Sequence, residues 1–136
     1  ANIPIFGTCR GMQSMYVTLG GKLNQHMSHE TNPSHDGGKL VHGITFENQH
    51  IIPGFAEITQ HKPGEYKINS RHHQTVNEET KPEIVTILAR HSTDGEIEFA
   101  TTYPFYPCHL SQHHVEDTSD PATVFLIKHL LTLNDE

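Results

Sequence analysis

Apolar and polar positions follow two rhythms along the chain. "IPIFGT" (Ile3 to Thr8) is a short apolar run of the kind that fills a buried strand. Met12, Met15, Tyr16 and Leu19 then recur at i, i+3, i+4 and i+7, and Gly20-Gly21 ends the pattern. This predicts a strand, a tight turn, a helix and a glycine stop. From Asn24 to Gly38 the residues are polar and His-rich, which reads as a loop. "KLVHGITFE", "EYKIN", "EIVTILARH" and "EIEFATT" each have strand character, with "STDGE" a turn between the last two. "DPATVFLIKHLLTL" predicts a closing helix, with Asp120 as cap, Pro121 at the first helical position and apolar residues along one face. No internal repeat is present. The order of strand, helix, several strands and helix predicts an α/β sheet.

The length of 136 residues matches one ordinary domain, so residues 1–136 are read as a single unit. A formal net charge of -7 with only 9 Lys+Arg leaves no basic surface to track phosphates and excludes nucleic acid as the expected partner. No run is long and apolar enough for a membrane span and no signal-peptide pattern is seen, so no membrane partner is expected, and with so few cysteines a reducing cytoplasm is the expected compartment. The 2 cysteines, Cys9 and Cys108, are far apart and do not make a disulfide framework. The chain opens on Ala1 rather than a methionine, so further chain upstream is expected.

Cys9 is the residue these patterns single out. A strand running into a helix through Gly7-Thr8-Cys9-Arg10-Gly11 puts the thiol at a helix N-terminus, where orphan backbone N–H groups and the helix dipole favour an anion. A free thiol titrates near about 8.5, and this placement, especially with a histidine partner, lowers the value to about 3.5 to 7.5. The flanking glycines are expected to permit a strained turn and to leave room for substrate. A small buried cysteine in an ordinary strand-to-helix turn is the plainer reading, against which the paired glycines argue.

"PIFGTCRGMQ" resembles the nucleophile elbow of the triad-type, class I glutamine amidotransferase family, G-x-C-x-G-x-Q. The Arg after the Cys is most similar to its γ-glutamyl-γ-aminobutyrate hydrolase branch. In the same order, "INSRHHQTV" (Ile68 to Val76) resembles that branch's V-N-S-x-H-H-Q-A-V, and "DGEIE" (Asp94 to Glu98) its D-G-x-I-E. "LSQHHVE" (Leu110 to Glu116) is similar to G-V-Q-[WF]-H-P-E, with Leu110-Ser111, His113 and Val115 standing where the family has Gly-Val, an aromatic residue and Pro. The resemblance implies a flavodoxin-like α/β domain and no cofactor. It also implies a triad of Cys9 as nucleophile, His114 as base and Glu116 as its orienting acid. The backbone N–H of Arg10 becomes an oxyanion donor, and Gln13, Asn69, Ser70 and His72 line the substrate pocket.

The residue types suit that chemistry. A thiolate attacks the γ-carbonyl of a glutamyl amide to form a thioester, a histidine protonates the departing amine and then activates water, and a carboxylate fixes the imidazole tautomer. His114 and Glu116 are two apart, so on an extended strand end their side chains share a direction. Family members carry several elements before the elbow, including a glycine-rich loop that supplies a second oxyanion donor. The expectation is therefore a domain lacking its N-terminal part, slow in turnover, and oligomeric or in need of a preceding segment.

Two rival readings remain. Loss of the front half would suit a catalytically impaired family fragment acting as a binding or interaction module. Separately, His26, His29 and His35 in one loop, and Cys108, His109, His113 and His114 in another, make a zinc-binding module conceivable. No C-x-x-C pair supports it, and zinc leaves the elbow glycines without a purpose.

Overall fold

The computed structural model describes residues 3–24, 42–62, 65–68, 75–92, 95–112 and 120–133. The first apolar run becomes β1 (Ile5–Thr8), followed by α1 (Arg10–Thr18) and the two-residue β2 (Leu23–Asn24). β3 (His42–Phe46), α2 (Phe55–Ile58), β4 (Tyr66–Ile68) and β5 (Thr75–Val76) come next. β6 (Thr86–His91), β7 (Ile97–Thr101), β8 (Cys108–Ser111) and α3 (Pro121–Leu133) complete the chain. All four runs read as strands lie on β3, β4, β6 and β7. The strand and helix signals along the chain do not separate β2, β5, β8 and α2.

Among the described residues, one sheet runs β1-β8-β7-β6-β3-β4, and β2 pairs with β5 in a second, antiparallel ribbon. β1 and β8 are parallel, with Ile5 beside Cys108 and Thr8 beside Ser111. The remaining adjacencies of the large sheet are antiparallel. Helices cover both faces. On one, Met12 and Tyr16 of α1 pack on Ile87, Ile97, Ala100 and Leu110. On the other, Phe55 of α2 and Ala122 and Leu126 of α3 pack on Ile44, Ile68, Leu88 and Phe99. This is the α/β arrangement that the alternation of elements predicts, and it positions the β1–α1 turn at the end of the sheet where β8 also ends.

α3 begins as its sequence indicates. Asp120 Oδ2 accepts the Thr123 N–H at 3.1 Å and also the buried Tyr66 hydroxyl at 2.5 Å. The Tyr66 oxygen in turn accepts the Ala122 N–H at 2.8 Å. One carboxylate thus caps a helix and ties it to β4, and burial beside that charge pushes the Tyr66 phenol well above its ordinary range.

A pair of imidazoles, His109 buried and His129 partly so, makes a second tie, between α3 and β8. His109 Nε2 lies 3.0 Å from His129 Nδ1, and His109 Nδ1 lies 2.8 Å from Thr101 Oγ1. The Thr101 hydroxyl donates to the Cys108 carbonyl at 3.0 Å, so toward His109 it can only accept. His109 therefore carries its proton on Nδ1 and accepts from His129 through Nε2. A second proton on His109 would set two donors against each other. Burial, then the neighbouring His129, lowers the His109 pKa from 6.5 to about 3. A depressed imidazole pKa contributes stability that is present above the unfolded value and lost as pH falls below it. We therefore expect the unfolding free energy to drop by about 1.4 kcal/mol per pH unit as pH falls from about 6 towards 3. Urea unfolding across that range checks this: His109→Gln should flatten the slope, and an unchanged slope would exclude His109 as its source.

Candidate active site

The backbone at Cys9 has φ 50° and ψ -109°, a conformation an L residue rarely adopts. Such a residue costs roughly 1–3 kcal/mol and persists only where its surroundings enforce it. They do so here: the Cys9 N–H donates to Ser111 O at 2.7 Å, extending the β1–β8 pairing by one step. The Cys9 carbonyl accepts the Gln13 N–H at 3.1 Å, opening α1. One residue thus ends a strand and starts a helix, and its half-buried thiol stands at the helix N-terminus.

The glycines act differently from the sequence expectation. Neither Gly7 nor Gly11 has a positive φ, so the strain sits on Cys9 itself. A Cβ on Gly7 would come within 3.1 Å of the Gly11 backbone and of Leu110 Cδ2, so Gly7 is needed for α1 to approach the sheet closely. A Cβ on Gly11 would meet nothing within 4 Å. Among the described residues, neither sterics nor backbone angle requires glycine at position 11.

The Cys9 side chain does not cap α1, and the first turn of the helix holds no acidic residue. The early N–H groups of a helix have no intrahelical acceptor, and the Arg10 N–H, directly after the thiol, is one of them. Cys108 contrasts with Cys9 in burial: it lies in the α1-side core, and burial pushes its thiol up to about 11. A thiol of that kind is not a nucleophile at neutral pH.

Gln13 is buried on the same turn of α1. Together with Arg10, Ser14, Val17 and Leu23 it lines a cleft of about 440 Å³. His114, Glu116, Asn69, Ser70 and His72 lie outside the described residues, as do His113, His26, His29 and His35. The structure thus brings together Cys9, Arg10 and Gln13 of the predicted set.

Two buried polar residues at this end of the sheet had no assigned role in the sequence. Glu98 is the extra residue of a β-bulge in β7, since Ala89 pairs with Phe99 while the next residue, Arg90, pairs with Ile97. The Gln112 N–H donates to the Glu98 carbonyl at 2.9 Å, and both side chains are fully buried. The Gln112 carboxamide has no hydrogen-bond partner among the described residues. Bulges concentrate beside functional sites, but a bulge is a property of strand register that no single-chain pattern shows.

The zinc reading gains no support. Both ring nitrogens of His109 are engaged, by Thr101 and His129. Cys108 packs on the α1 side of the sheet while His109 faces α3, so the two cannot ligate one ion. Among the described residues, no three His, Cys, Asp or Glu side chains stand close enough to hold a metal, and no helix is long and apolar enough to cross a membrane.

Comparison with known proteins bears on the same residues. The Peptidase C26 family profile matches residues 1–116. The chain is similar to the glutamine amidotransferase-like protein YvdE of Lactococcus lactis, with 33% identity over 103 residues, 72% of this chain and 40% of that one. It is 36% identical over 81 residues to protein NtpR of Enterococcus hirae, covering 57% of this chain and 33% of that one. It is 25% identical over 130 residues to anthranilate synthase component 2 of Methanothermobacter thermautotrophicus, covering 96% and 58%. The chain therefore spans between a third and three fifths of the length of these relatives. In architecture it resembles a GMP synthase component of Thermoplasma acidophilum. The TM-score is 0.65 at 18% identity, covering 99% of this chain and 61% of that one.

Proposed function

Because the chain belongs to the Peptidase C26 family of glutamine amidotransferase-like proteins, we propose that it hydrolyses a γ-glutamyl amide of the γ-glutamyl-γ-aminobutyrate kind. The carrying observation is the enforced positive φ at Cys9, with a half-buried thiol at the start of α1. The Cys9 thiolate attacks the γ-carbonyl, and the resulting oxyanion takes a hydrogen bond from the Arg10 N–H. His114, held in one tautomer by Glu116, gives its proton to the amine as the C–N bond breaks and the thioester forms. His114 then removes a proton from water, which attacks the thioester, releasing glutamate and restoring Cys9. Gln13, Asn69, Ser70 and His72 hold the glutamyl portion. A thiol nucleophile of this kind belongs in a reducing compartment, the cytoplasm.

Two measurements test this reading. A glutamine-analogue electrophile should label Cys9 and leave Cys108 unmodified, as shown by peptide mass. Alkylation of Cys9 by iodoacetamide should stay fast well below pH 8, and His114→Ala should move its apparent pKa up towards that of a free thiol, about 8.5. A profile that His114→Ala does not move would remove His114 from the triad.

A second reading is a module that binds the γ-glutamyl group with little turnover. It is favoured by the backbone N–H of Arg10 standing as the one candidate oxyanion donor among the described residues. Loss of one such donor costs about 100- to 1,000-fold in rate. Stoichiometric labelling of Cys9 without multiple turnovers would select this second reading.

A further inference from the structure

We propose that the cleft beside Cys9 binds a carboxylate of the substrate through the guanidinium of Arg10. This rests on the γ-glutamyl amide reading above and adds a residue that selects substrate by charge.

Arg10, Gln13, Ser14 and Val17 recur at i, i+3, i+4 and i+7, so they form one stripe of α1. It is a different stripe from the one that Met12 and Tyr16 bury against the sheet. Leu23 of β2 faces it and closes the cleft. A volume of about 440 Å³ suits a small ligand, for which sites span roughly 300–1,000 Å³. The lining offers apolar contact from Val17 and Leu23, a hydroxyl from Ser14 and an amide from Gln13. Its charged member is Arg10.

Charge balance makes that residue unusual. The chain carries 16 Asp+Glu against 9 Lys+Arg, and the other arginine among the described residues is paired: Arg90 bonds Glu78 at 2.5 Å and also bonds Glu47. Among the described residues no carboxylate pairs with Arg10, and the first turn of α1 contains no acid. Its side chain is exposed. A guanidinium matches a carboxylate in a bidentate fork, whereas Lys presents only a point charge. Because Arg10 directly follows the nucleophile, an amide held for attack on Cys9 has its remaining functional groups within reach of an Arg side chain.

A γ-glutamyl-γ-aminobutyrate-like substrate offers two carboxylates of the same chemistry. One is the α-carboxylate of the glutamyl half, and the other is the terminal carboxylate of the amine half. Three ligands separate them: γ-glutamyl-γ-aminobutyrate, γ-glutamyl-butylamine, which lacks the terminal carboxylate, and the α-carboxamide of the first.

The experiment is calorimetric titration of these ligands into the full chain carrying Cys9→Ser, so that turnover is not needed, with and without Arg10→Gln or Arg10→Lys. Arg10→Gln should weaken binding of γ-glutamyl-γ-aminobutyrate by about 10- to 100-fold, with Arg10→Lys intermediate. With Arg10 present, the ligand missing the recognised carboxylate should bind correspondingly worse. Arg10→Gln should erase that difference and so identify which carboxylate is read. If Arg10→Gln leaves all three affinities within about twofold, or if no ligand binds, the inference is overturned. If the affinity pattern appears while the unmodified chain neither hydrolyses the amides nor is labelled at Cys9, the hydrolase reading fails and the carboxylate site stands.

Discussion

Cys9→Ser should lower kcat/KM for γ-glutamyl amides by about 10⁴-fold or more, while Cys108→Ser leaves it within about twofold. The magnitude follows from the chemistry. A thiol at a helix N-terminus with a histidine partner exists largely as thiolate at neutral pH, whereas an alcohol there does not ionise. The substitution is nearly isosteric, and the bonds that enforce the turn are backbone bonds, Cys9 N–H to Ser111 and Gln13 N–H to Cys9. The fold should therefore survive, and a thermal melt of Cys9→Ser close to that of the parent would confirm it. Cys108→Ser places a hydroxyl in the α1-side core, so it should cost stability of about 1 kcal/mol and spare the reaction. Steady-state kinetics of both variants decide the matter. Equal losses from the two cysteines would mean a shared structural role and would end the nucleophile assignment.

Gly21→Ala should destabilise the chain by about 3 kcal/mol, near the upper end for overpacking. A Cβ there would sit 2.3 Å from Tyr16 Cε2 and 2.4 Å from Cδ2, well inside contact distance. The ring has no room to yield. Tyr16 is fully buried, its hydroxyl donates to Asn77 O at 2.6 Å, and its carbonyl accepts the Gly21 N–H at 2.9 Å. Burial pushes that phenol up to about 12, so it remains a donor throughout the useful pH range. Gly20→Ala is the internal comparison: at φ 109° an Ala is strained, but its Cβ would meet nothing within 4 Å, so about 1 kcal/mol is expected. Urea unfolding of the two variants separates steric overlap from backbone strain. A Gly21→Ala midpoint equal to that of Gly20→Ala would show that α1 shifts freely to relieve the clash. Because α1 begins directly after Cys9, such freedom would also weaken the geometric case for the site.

What the sequence determined by itself is the local grammar. The helical spacing of Met12, Met15, Tyr16 and Leu19, the cap at Asp120 with Pro121 behind it, and the strand character of the runs carrying β3, β4, β6 and β7 are short-range features. Each depends on backbone propensity and side-chain periodicity within a few residues. The position of a thiol where a strand meets a helix belongs to the same class, and so Cys9 was legible. Only the tertiary structure decided the rest. β1 pairs with β8 at the other end of the chain, and that pairing forces the strain onto Cys9 rather than onto the neighbouring glycines. The two-residue strands β2 and β5 are too short to show a period, yet β2 supplies Leu23, which closes the Arg10 cleft. Glu98, His109, Ser111 and Gln112 look polar and therefore exposed, but all four are fully buried. Their burial comes from strand register and from partners distant in the chain, such as His129 for His109, and pairing across such distances leaves no periodic signature in the residues that carry it.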